Sequence, residues 1–97
     1  MKTIEYAVDG LAIADYKAEE TARSFLKSDD TYIKVSTDNF VTAVRALIHE
    51  QLISHKEVEF LFQGTKLQPT KNGRLNHWPV GFCDLSENLL SRLLTKQ

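Results

Sequence analysis

Between Asn72 and Asp84 the chain reads Asn-Gly-Arg-Leu-Asn-His-Trp-Pro-Val-Gly-Phe-Cys-Asp. These thirteen residues hold the only Trp, the only Cys, one of two Pro and two of four Gly. Proline lacks a backbone donor and glycine lacks a Cβ, so such a run continues neither a regular helix nor a regular strand. It must follow one particular bent path, and the rest of the fold has to accommodate a fixed junction there.

The segments before the bend are regular. Ile4, Tyr6 and Val8 alternate with Thr3, Glu5 and Ala7 at strand period. Asp9-Gly10 is a favoured type I′ pair, so an opening hairpin is expected, with Leu11 to Ala14 as its return strand. From Asp15 or Tyr16 the period becomes helical. Ala18, Ala22, Phe25 and Leu26 share one face, Lys17, Glu19, Glu20 and Arg23 turn outward, and Ser28-Asp29-Asp30 ends the helix. Tyr32 to Val35 is a short β-prone run. Ser36-Thr37-Asp38-Asn39 then offers several N-caps to a helix striped by Phe40, Val41, Val44, Leu47, Ile48 and Leu52.

Glu57 to Phe62 alternates again, with Val58, Phe60 and Phe62 on one face, and Gly64 breaks it. Lys66 to Thr70 and Arg74 to His77 suit a second hairpin closed by Asn72-Gly73, with Pro69 marking an edge strand. Beyond the bend, Asp84-Leu85-Ser86-Glu87 has capping-box spacing, and Leu85, Leu89, Leu90, Leu93 and Leu94 form the stripe of a last helix. The expected order is β-β-α-β-α-β-β-β-α, in one α/β or α+β domain. A mixed sheet would combine two hairpins with a right-handed parallel βαβ unit over Tyr32–Phe62, covered by three helices.

Composition narrows the function classes. Ninety-seven residues make one domain, 1–97. A net charge of −1 gives no electrostatic reason to expect a nucleic-acid partner. Cys83 has no second cysteine to bridge, which fits a reducing compartment. Ala12-Ile13-Ala14 mimics a signal-peptidase site, but Glu5, Asp9 and Gly10 interrupt any apolar region before it. No apolar run reaches the roughly 20 residues of a membrane span. A cytoplasmic, soluble protein is the expectation.

The candidate chemistry is sparse. Cys83 near a helix N-terminus, with His77 as base and Asp84 as orienter, sketches a cysteine-dependent enzyme, but no surrounding signature accompanies it. His49 and His55, like His77 and Cys83, are spaced six apart, which matches no familiar metal-ligand pair. Phosphate-cradling glycine motifs are absent, so neither cofactor nor nucleotide is expected. Lys66, Lys71 and Arg74 beside His77 and Trp78 sketch a small nucleic-acid-binding hairpin spanning 66–78. The competing reading is cations guarding an edge strand. Trp78 and Phe82 are either core or, where exposed, anchors for a partner.

The run from Gly73 to Asp84 resembles a segment near the C-terminus of P-loop ATPases of the ABC/SMC-like, OLD and AAA-15 type, many found in bacterial mobile elements and anti-phage systems. Their segment typically reads Trp-Pro-x-Gly-Phe-Phe-Asp after a turn glycine. The likeness extends upstream through Thr37-Asp38-Asn39-Phe40, Arg45-Ala46-Leu47-Ile48 and Glu57 to Phe62, covering Tyr32 to Leu94. Where the family carries a Thr-His-Ser-type switch, this chain has Ser36-Thr37-Asp38, and its Walker A and B segments have no counterpart here. The resemblance therefore implies a lobe-like shape without catalytic residues. Together these readings give a non-enzymatic protein-interaction domain acting on another protein, a P-loop ATPase foremost, with Arg74, His77, Trp78 and Phe82 as the contact region.

Overall fold

In the computed structural model, which describes residues 1–75 and 77–83, the N-terminal alternation does not turn back on itself. It forms one strand, β1 (Lys2–Leu11), followed by a 3-10 turn (Asp15–Lys17) and helix α1 (Ala18–Lys27). The expected opening hairpin is thus corrected. Neither Asp9 nor Gly10 has a positive φ, which a type I′ turn needs at both positions. Gly10 instead lies against the backbone of the neighbouring strand, where a Cβ would stand 2.5 Å from the Val35 carbonyl carbon. Residues 7–10 form a bulge between the paired Tyr6 and Leu11, and Ser36 N–H donates to Leu11 O at 2.8 Å. Ile13 is tied to the next helix rather than to a return strand. Its N–H donates to Thr37 Oγ1 (3.2 Å) and its carbonyl accepts from Asn39 Nδ2 (2.6 Å).

The middle of the chain follows its periodicity closely. Strand β2 (Tyr32–Val35) leads to helix α2 (Asp38–His49), a 3-10 turn (His55–Glu57), β3 (Val58–Phe62) and β4 (Thr65–Leu67). The α2 stripe is buried from Phe40 to Ile48, but Leu52 lies beyond the helix and is 59% exposed. The second hairpin also moves. It joins β3 to β4 through Gln63 and Gly64, both at positive φ (51° and 81°). The expected pairing around Asn72-Gly73 shrinks to one antiparallel bridge, Pro69 to Leu75. The expected third helix from Asp84 lies outside the described residues, as does Asn76.

The sheet order is β2-β1-β3-β4, parallel except for β4. β2 and β3 therefore do not pair, because β1 is inserted between them. Register places Ile4, Tyr6, Ile33, Val35, Phe60 and Leu67 on one face, where they join the side chains of α1 and α2 in a single core. With both helices on that face and β2 and β3 on opposite sides of β1, the two crossovers have opposite hands. Only one of them obeys the usual right-handed rule. The other face carries Thr3, Glu5, Tyr32, Lys34, Glu59 and Lys66. Its polar groups pair across strands: Thr3 Oγ1 with Glu59 at 3.0 Å, Tyr32 OH with Glu5, and Lys34 Nζ with Asp9 at 3.1 Å.

Candidate functional site

The bend is anchored at both ends by backbone that suits glycine. Thr70 N–H donates to Arg74 O (2.7 Å) and Gly73 N–H to Thr70 O (2.9 Å), closing a tight loop. Gly73 sits at φ +80° and is buried against α2, where an added Cβ would stand 2.3 Å from Arg45 O. Farther on, Phe82 N–H donates to Pro79 O at 3.2 Å with Gly81 at φ +91°. Positive φ at the third of four turn residues is the type II signature.

Two side chains of α2 clasp the first loop. Arg45 Nε donates to Gly73 O (2.7 Å), and His49 Nδ1 donates to Asn72 O (3.0 Å), since a carbonyl can only accept. The Arg45 guanidinium lies 5.0 Å from the centre of the Trp78 ring, a cation–π stack. Trp78 in turn meets Phe82 edge to face, with ring centres 5.4 Å apart. Phe82 is completely buried and touches Tyr6, Phe60 and Phe62 as well.

The four residues singled out for partner contact thus divide into two roles. Phe82 is the buried post, Trp78 is half-buried above it, and Arg74 and His77 are exposed. Arg74 also borders a groove of about 290 Å³ with Arg45, His49 and Asn72. Arg45 and His49 are not among the contact residues to which the sequence points. Their only signal was their spacing, i and i+4 on the flank of the α2 stripe.

The cations of the nucleic-acid reading are not gathered on one surface. Lys66 alternates with buried Leu67 and so points to the polar side of the sheet, whereas the 70–75 loop packs on α2. Cys83 is 3% exposed at φ +51° and lines a crevice with Tyr6, Thr37 and Asn39, while His77 is exposed. Among the described residues no three His, Cys, Asp or Glu side chains come together to hold a metal, and no helix is long and apolar enough to cross a membrane.

On the polar sheet face the electrostatics are local. Lys34 beside Asp9 holds that carboxyl below its usual value, and Asp9 raises Lys34 in return. The hydrogen bond to Glu5 raises the Tyr32 phenol. No family model, curated protein or solved structure matches this chain.

Proposed function

We propose that the chain is a non-enzymatic protein-interaction domain whose contact surface is the Arg74–His77–Trp78 face. The observation that supports this most is the Arg45–Trp78–Phe82 stack. It holds a large aromatic ring half-exposed on a buried post, with a guanidinium on one side and two exposed basic side chains nearby. Arg and Trp in a rigid setting are the residue types that dominate interface energetics, because little side-chain entropy remains to be lost on binding. The likeness of residues 73–84 to an ATPase segment makes a P-loop ATPase of a bacterial defence or mobile-element system the partner of choice.

The test is affinity capture of the tagged protein from its native host, run beside a double variant, Arg74→Glu with His77→Glu. Both positions are exposed, so the variant keeps its fold, which far-UV circular dichroism checks. Stoichiometric recovery of an ATPase by the native chain, cut roughly tenfold in the variant, is the expected result. Equal recovery by both would remove this face from the interface. Recovery of no ATPase by a folded, monodisperse native chain would remove the partner.

A further inference from the structure

A second groove lies on the other flank of α2, and the Trp78 face takes no part in it. About 640 Å³ in volume, it runs between the second half of α1 and the segment that leaves α2. Its floor is apolar: Leu26, Leu47, Ile48, Leu52 and Ile53. Leu52 is 59% exposed although it stands among the most apolar residues of the region. The rim carries Arg23 and Lys27 on the α1 wall and Lys71 on the opposite wall, against the single carboxylate Glu57. Arg23 is held to Glu19 only loosely, at 3.6 Å and with both side chains exposed.

We infer that this groove is a docking site for an amphipathic helix of another protein, with leucine-type anchors on one face and carboxylates beside them. An elongated groove with α1 along one side and an apolar floor suits a helix, whose anchors recur at i, i+4 and i+7. The cations on both walls fix the charge of the occupant, since flanking carboxylates gain and flanking cations lose by complementarity. A small apolar ligand fits less well, because such ligands are mostly enclosed, and this groove is open to solvent. The backbone explains why Leu52 is displayed. Gln51, at φ +63°, turns the chain sharply, and Leu52 N–H donates back to Leu47 O at 2.9 Å. The Leu52 backbone is thereby fixed beside the groove.

The experiment uses the full chain and two fluorescein-labelled synthetic helices. Both carry leucine at i, i+4, i+7 and i+11; one has alanine and glutamate elsewhere, its twin alanine and lysine. Fluorescence anisotropy is expected to show the glutamate helix binding roughly tenfold tighter than the lysine helix, with affinity falling as salt rises. Leu52→Glu, at an exposed position, should abolish binding, and Arg23→Glu with Lys27→Glu should reverse the preference between the helices. Equal affinity for the twins, or binding untouched by Leu52→Glu, overturns the inference. So does tight binding of a labelled oligothymidine with the same mutational pattern, which would make the rim a nucleic-acid site. Two further results assign the groove to the protein itself and overturn it equally. One is a concentration-dependent dimer that Leu52→Glu dissolves. The other is broadening of the amides of residues 84–97 by a spin label placed through Lys27→Cys in a Cys83→Ser background, with no peptide binding.

Discussion

At the residue scale, Gly73 carries the junction. Its positive φ suits glycine, and its Cα lies so near Arg45 O that a methyl group has no space. Gly73→Ala is therefore expected to destabilise the protein by about 2 kcal/mol or more, measured by urea unfolding. The same substitution should release Trp78 to water, seen as a red shift of its emission. Tyr32 offers a second test on the opposite side of the sheet. Its phenol, hydrogen-bonded to Glu5, is raised above the ordinary 10.0. A raised folded value means that the contribution is complete below the ordinary value and is lost as pH climbs through the folded one. Absorbance titration should show one of the three tyrosines ionising late, and Glu5→Ala should bring it back. Asp9, bonded to Lys34, behaves in the opposite sense. Its contribution is present above the ordinary aspartate value and fades as pH falls through the lowered one.

At the element scale, α2 ends in a full Schellman motif, with Leu52 N–H on Leu47 O and Gln51 N–H on Ile48 O. Glycine normally fills the left-handed position, but here Gln51 does. Gln51→Gly should raise stability by about 1 kcal/mol, a gain of roughly 4–8 °C in Tm by calorimetry. This cap also shows where sequence reading stops. The stripe from Phe40 to Ile48 was legible because burial imposes a 3.6-residue period on apolar side chains. Leu52 continues that period in the sequence although the helix has already turned, and no glycine announced the end. The turns failed for a related reason. Asp9-Gly10 has hairpin chemistry, yet parallel pairing through Leu11 took that segment, whereas Gln63-Gly64 closes a hairpin with a residue of modest turn preference. Local propensity was outweighed in both places by which strands became neighbours.

At the scale of the whole molecule, strand order was the part no local pattern encoded. Alternation identifies a strand and its buried face, but it is silent on whether β1 stands at an edge or between β2 and β3. The candidate site was legible to a similar extent. The bend announced itself by composition, while Arg45 and His49, which clasp it, come from an element 28 and 23 residues earlier than the carbonyls they bind. Because Phe82 touches Tyr6, Phe60 and Phe62 at once, the bend belongs to the same cooperative unit as the sheet. Phe82→Ala should cost about 3–5 kcal/mol. In the native protein, Trp78 fluorescence and far-UV circular dichroism should report one coincident thermal transition.

β1 also precedes both of its neighbours in the chain. On the ribosome its β2 edge can pair once residue 35 has emerged, but its β3 edge stays bare until residue 62 follows, and the aromatic contact on Tyr6 closes only when Phe82 arrives. A growing chain of this order offers nascent-chain chaperones a strand with one edge still open.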